Sequence, residues 1–321
     1  MDEREAAVPG EYRVIDLNDP RKVFAGRALY ESAYVPQKGD SSLKMPANVP
    51  LGYYFLASDF WIPEGSSKWY MDGQLVKVRM RRSGTAYFDE PIKRAFHAPG
   101  LLFWVQDEVR VGEVRTGTGV LNLALTDRCW VQNWVVPDGW DVKGVDLQGS
   151  RNTKITTLTI GRPSRWDAGY GYGLGVQKCT GVEAYGVLAR GCRHAIMPAC
   201  IGGCHFEEVQ HFEPKADFDF GHYGVEDTVF DRIDCGDRSG ALGNRWPAPS
   251  NNVVLRRIRS ARDLLLYSDT WDTRIEESAF SGALRAHQNL PGIGLSAKSQ
   301  WFPGGISREG LADARMVVEV G

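Results

Sequence analysis

Residues 225–237 read VEDTVFDRIDCGD, with Thr228, Phe230, Ile233 and Cys235 set among Asp231, Arg232 and Asp234. The inward-type positions step by two, then three, then two. That is neither the 3.6-residue period of a helix nor unbroken strand alternation. The same template, with small or polar residues allowed at its ends, fits Cys129, Val131, Trp134, Val136 and then Thr153, Ile155, Leu158, Ile160. It fits again at Val182, Ala184, Val187, Ala189 and at Cys204, Phe206, Val209, His211. Two further copies are Val253, Leu255, Ile258, Ser260 and Thr273, Ile275, Ser278, Phe280. First positions fall at 129, 153, 182, 204, 228, 253 and 273, giving spacings of 24, 29, 22, 24, 25 and 20.

Each copy predicts a short strand, a bend at the two-residue step and a second short strand, both sending alternate side chains inward. Between copies lies another apolar patch: Leu174 and Val176, then Ile196, then Phe218 and Phe220, then Leu264 and Leu266. A coil of about three short strands closes no core alone, whereas stacked coils bury a continuous one. No leucine-rich repeat motif is present, and no helical pattern runs between copies. The expectation is an all-β chain wound as a single-stranded parallel β-helix.

Composition agrees. The 321 residues are 43% hydrophobic, with Gly 36, Trp 10, Tyr 12 and Phe 13, the profile of a turn-rich β protein. A formal charge of −2 supplies no global attraction to nucleic acid or membrane. No apolar run nears the ~20 residues of a membrane span. The acidic opening MDEREAAVPGEY is not read as a signal peptide. None of the six cysteines sits in a CxxC pair, so reduced core thiols made in a cytosol are expected.

Stacking also predicts the outer surface, because equivalent positions on neighbouring coils lie ~4.8 Å apart. One outward row reads Thr156, Tyr185, Glu207, Asp231, Arg256, Glu276; the next reads Thr157, Gly186, Glu208, Arg232, Arg257, Glu277. A third reads Thr159, Leu188, Gln210, Asp234, Arg259, Ala279. This face is either a charge-laced solvent surface or a site. Cleaving a glycosidic bond takes two carboxylates of different pKa, and like-charged Glu207 and Asp231 on adjacent coils predict one raised pKa. The roles assigned are Glu207 as acid, Asp231 as base and Asp234 as its partner. A lyase would instead use Arg256, Arg257 and Arg259 to hold an acidic sugar, with Tyr185 or His205 as base. The longest coil carries SRWDAGYGYG, whose Trp166 and Tyr170 on a projecting loop suit stacking on sugar rings, as do Trp246 and Trp271 in other turns. A second acidic patch, KADFDFGHY, holds Asp217 and Asp219 near His222 and Tyr223, and reads as an ordinary strand with an acidic outer side, a sugar-binding or metal role being the alternative. Cys192, His194, Cys200, Cys204 and His205 hint at zinc, but alternation sends Cys204 inward and His205 outward. No cofactor-binding or metalloprotease motif occurs, so no cofactor or metal is expected.

Residues 49–73, VPLGYYFLASDFWIPEGSSKWYMDG, resemble the opening coil of pectate-lyase-like right-handed parallel β-helices found in phage tailspikes. The matching residues are Pro50, Gly52, Tyr53, Tyr54, Ser58, Ile62, Pro63, Gly65 and Gly73, with Asp72-Gly73 standing for the family's GDG turn. The resemblance extends over about 49–283. An Asp-x-x-Asp with a Glu one coil earlier is similar to the carboxylate triad of endoglycosidase tailspikes, which falls on Asp231, Asp234 and Glu207. Three parts are implied: an N-terminal segment 1–48 for virion attachment, a β-helix 49–283 and a C-terminal cap or subunit contact 284–321. The resemblance implies a phage tail component, homotrimeric, bound to other tail or baseplate proteins and contacting cell-surface polysaccharide. A free-standing polysaccharide hydrolase or lyase and a purely structural virion β-helix stand as alternatives.

Overall fold

A computed structural model describes residues 23–286 apart from 33–34, 46–48, 65–67, 97–100, 244–249 and 268–269. It also describes Leu17 and the strands Leu295–Lys298, Ile306–Ser307 and Met316–Val317. The ordered elements are strands throughout, and no helix among the described residues is long and apolar enough to cross a membrane. From Val114 onward the strands pair in parallel, coil on coil, in three sheets forming a β-solenoid. The first sheet has 12 strands and carries every copy of the repeat; the second has seven and the third five.

The repeat holds at register level. Val131, Ile155, Ala184, Phe206, Phe230, Leu255 and Ile275 pair in succession and form a fully buried interior column. Phe206 and Phe230 stack with ring centroids 5.1 Å apart. The second residue of the two-residue step is left-handed in every coil: Asn133, Thr157, Gly186, Glu208, Arg232, Arg257 and Glu277 have φ between 48° and 68°. A single αL residue turns the strand without breaking the inward alternation on either side. The apolar patch between copies divides in two: Leu174, Val176 and Ile196 belong to the second sheet, Phe218, Leu264 and Leu266 to the third. All six cysteines are buried and free. Parallel pairing continues past 283, through Leu284–Ala286, Leu295–Lys298, Ile306–Ser307 and Met316–Val317.

The segment expected to open the β-helix does something else. Six strands, β1 (Leu29–Ser32), β2 (Ser42–Lys44), β3 (Gly52–Glu64), β4 (Lys68–Arg82), β5 (Thr85–Phe88) and β6 (Leu101–Gln106), form an antiparallel sheet of order β1-β6-β3-β4-β5-β2. Strands of 13 and 15 residues run without a two-residue step, so hairpin pairing replaces coiling. Asp72-Gly73 is no turn but lies inside β4, where the Phe55 ring approaches too closely for any Cβ at Gly73. One face buries Tyr54, Leu56, Val76 and Phe103; the other buries Phe55, Leu75, Leu102 and Trp104 together with Leu125 of the solenoid.

This domain lies along the outer side of the second sheet and grips successive coils. Tyr53 donates to Asp127 at 2.7 Å. Arg151 reaches both Asp89 and Asp127, and Asn152 donates to Glu90. Arg94, 1% exposed, pairs with Asp72 and stands 3.9 Å from Glu226, and Lys38 meets Asp227 at 2.7 Å. Gly202 leaves room for the Arg94 stem. The second sheet is therefore covered, and the outer side of the first sheet is left open.

Candidate functional site

The predicted outward rows exist in the register expected. Thr156, Tyr185, Glu207, Asp231, Arg256 and Glu276 are successive partners on the first sheet, and Asp234 faces Arg259 one bend further on. Glu207, Asp231, Tyr185, Arg256 and Arg257 come together. Asp234 shares their face but is engaged locally, accepting the Gly236 amide at 2.9 Å.

Like charge does not dominate this neighbourhood. Asp231, 1% exposed, accepts Arg256 at 2.7 Å on one oxygen and Arg257 Nε at 2.6 Å on the other. Burial alone would raise its pKa; the hydrogen bonds and charges of Arg257 and Arg256 outweigh that and hold it at about 2. The expected upward shift from Glu207 does not occur at Asp231, because two guanidiniums stand nearer than that carboxylate in effect. Glu207 is itself held by Arg232, which also meets Glu208 at 2.9 Å. A carboxylate whose pKa is lowered and whose oxygens are both bonded is a weak proton acceptor near neutral pH. Asp231 therefore lacks the raised pKa expected of one member of the pair, while Glu207 is held by Arg232 and Asp234 by the Gly236 amide.

His205, Glu207 and Asp231 each bring a donor atom within 4.8 Å of the others. The two carboxylates are already engaged by three arginines, whose charge opposes a cation there, and His205 Nε2 stands 3.5 Å from Glu207. Among the described residues the cysteine–histidine set suggested for zinc does not assemble. Cys192, Cys200 and Cys204 are buried, and desolvation pushes their thiols up, to about 12 for Cys192 and Cys204 and about 11 for Cys200.

What remains is a binding surface. Arg256 and Arg257 each keep 39% of the side chain exposed while sharing the Asp231 carboxylate, with Glu276, Glu277 and Glu207 as the other charges acting on them. Arg259 is exposed beside them. Tyr185 donates to Glu183 at 3.2 Å and lies edge-on to His205, with Lys154 over its ring. Burial and Glu183 raise its phenol, so it is no ready base. Trp130, at the outward position just before those of the predicted rows, is 40% exposed and pinned to Thr156 through its indole N–H at 3.0 Å. Its place one residue before Val131 already marks it as outward.

Trp166 and Tyr170 sit apart, on loop 161–171. Trp166 is 54% exposed, while Tyr170 carries the Arg165 guanidinium on its face at 3.6 Å. Trp246 and the side chain of Trp271 lie outside the described residues.

No family model matches the chain, and no curated protein matches it. Solved structures do. The tailspike protein gp49 from Pseudomonas phage LKA1 superposes with TM-score 0.55 and 15% identity, over 92% of this chain and 61% of that one. The tailspike gp61 from Pseudomonas phage phi297 superposes with TM-score 0.53 and 12% identity, over 91% of this chain and 57% of that one. The fold is tailspike-like. The chain thus spans about three fifths of the length of each neighbour. At these identities the likeness concerns the fold, so any activity of the tailspike-like solenoid must be argued from its own side chains.

Proposed function

We propose that this chain is a phage tail component of tailspike or receptor-binding type, and that it holds acidic cell-surface polysaccharide on the open side of its first sheet. The observation that carries this reading is the pair Arg256 and Arg257, half-exposed and converging on the single buried carboxylate of Asp231. Asp231 fixes both guanidiniums in place, and the 39% of each side chain left exposed offers a forked donor array suited to a sugar carboxylate. Trp130 and Tyr185 add aromatic surface on the same sheet, matching the C–H face of a sugar ring.

Binding without cleavage follows from the locked state of Asp231. The test is to incubate purified protein with acidic and neutral capsular polysaccharides, measuring retention and released oligosaccharides. Retention of the acidic polymer without release is expected. Rapid release abolished by Asp231→Asn would replace this reading with the hydrolase one, and no retention would end it. By the same tailspike resemblance the assembly is a homotrimer made in the host cytoplasm and joined to other tail proteins through residues 1–48. Mass measurement in solution tests the first part.

A further inference from the structure

Coil size changes abruptly in the middle of the solenoid. Eleven residues (161–171) connect the first sheet to the second after Ile160, only three (191–193) after Arg190, and ten (213–222) after Phe212. The third sheet begins within the last of these, at Phe218–Asp219. A short corner thus sits between two long ones, and the step between them is termed the notch. Gly191 passes under Arg162, which ties the two walls together at one end by pairing with Glu213.

The floor and walls of the notch carry unusual chemistry. His194 donates Nδ1–H to the Asp217 carbonyl at 2.8 Å, satisfying the open edge of the third sheet. His222 donates Nδ1–H to Asp219 at 2.8 Å, and that carboxylate is fixed by the Gly221 amide at 3.0 Å. In the neutral rings this sets both tautomers, with each Nε2 as an acceptor. The rings lie 6.3 Å apart, with Tyr172 stacked on His194 at 5.5 Å. Burial holds His194 near a pKa of about 4, so it stays an acceptor at neutral pH. Arg193 lies over the Tyr172 ring at 5.8 Å, and its amide is bonded to Gly171 of the long loop. Arg193 has no carboxylate partner among the described residues, since nearby Asp167 is engaged by Arg165 at 2.9 Å. Trp166 projects from the same loop, 54% exposed.

We propose that this notch is a second saccharide subsite, specific for a sugar bearing a carboxylate. Arg193 engages the carboxylate, the Nε2 atoms of His194 and His222 accept from sugar hydroxyls, and Trp166 covers the apolar face of the ring. The inference rests on the reading of the chain as a polysaccharide binder but uses none of the first-sheet residues.

Protein labelled with 15N at histidine is titrated with oligogalacturonate, and with neutral maltooligosaccharide as control. Movement of the His194 and His222 resonances with the acidic sugar alone is expected. Arg193→Ala should weaken that response about tenfold, the scale of one charge-assisted contact, while an unchanged resonance of the remote His205 and an unchanged denaturant midpoint verify the fold. Arg193→Lys should retain part of it. Unmoved notch histidines, or equal movement with the neutral sugar, overturn the proposal. If the acidic sugar binds and only Arg256→Ala or Arg257→Ala weakens it, the notch falls and the first-sheet reading stands. If neither set of variants matters because nothing binds, both fall.

Discussion

Two arginine–carboxylate groups sit on outer sides of the same solenoid and have opposite fates. Arg94 with Asp72 and Glu226 is sealed beneath the N-terminal sheet, all three side chains almost wholly out of water. Arg256 and Arg257 with Asp231 share the same chemistry but face solvent. Sealing turns a charge group into an anchor, because breaking it strands a buried ion. Openness leaves the guanidiniums little to contribute to stability and free to exchange water for a ligand. The difference lies in what covers each sheet, not in the residues.

The comparison breaks first at Arg94. Arg94→Met leaves Asp72 and Glu226 buried without their cation and should cost about 3–5 kcal/mol, read as a lowered denaturant midpoint. A loss below about 1 kcal/mol, the exposed-pair scale, would mean that the N-terminal sheet does not seal the group.

An intermediate effect is expected from pH. His194 and His211 have native pKa values held at about 4 by burial, below the ~6.5 of an unfolded histidine. Between those values the unfolded chain binds protons that the native one excludes. Stability from these groups is therefore full above about 6.5 and declines as pH falls toward 4. His211→Phe should flatten part of that decline relative to the parent, measured by denaturation at each pH. Parallel pH profiles would contradict the burial of His211.

The smallest change is expected at the open group. Arg256→Ala should alter stability by less than about 1 kcal/mol, since Arg257 still satisfies Asp231, yet it should weaken retention of acidic polysaccharide. A stability loss as large as that of Arg94→Met would erase the contrast.

Much of the solenoid was legible in sequence. The two-three-two step gave the interior column from Val131 to Ile275 and the pairing of Glu207 with Asp231, because stacked coils convert a sequence interval into adjacency. The step itself encodes the αL bend at Glu208, Arg232 and Arg257. What periodicity does not carry is reach. Arg257 is assigned to a row by its spacing, but its guanidinium folds back onto Asp231 and inverts the expected pKa shift. The N-terminal sheet was misread for a related reason: the aromatic and Pro/Gly pattern of 49–73 suits hairpin and coil alike, and the distinguishing sign is 13 to 15 residues without a two-residue step. The Arg94 anchor joins residues 72, 94 and 226, which no local pattern links. The long corner, by contrast, is legible as a projecting loop in the 29-residue interval, whereas the short corner that follows in the 22-residue interval carries no residue pattern of its own.

The most direct test of the open-face account is retention of an acidic capsular polysaccharide by the native chain and by the Arg256→Ala/Arg257→Ala variant at matched fold content. The account predicts strong, salt-sensitive retention by the former and near-complete loss in the latter. Equal retention by both would contradict it.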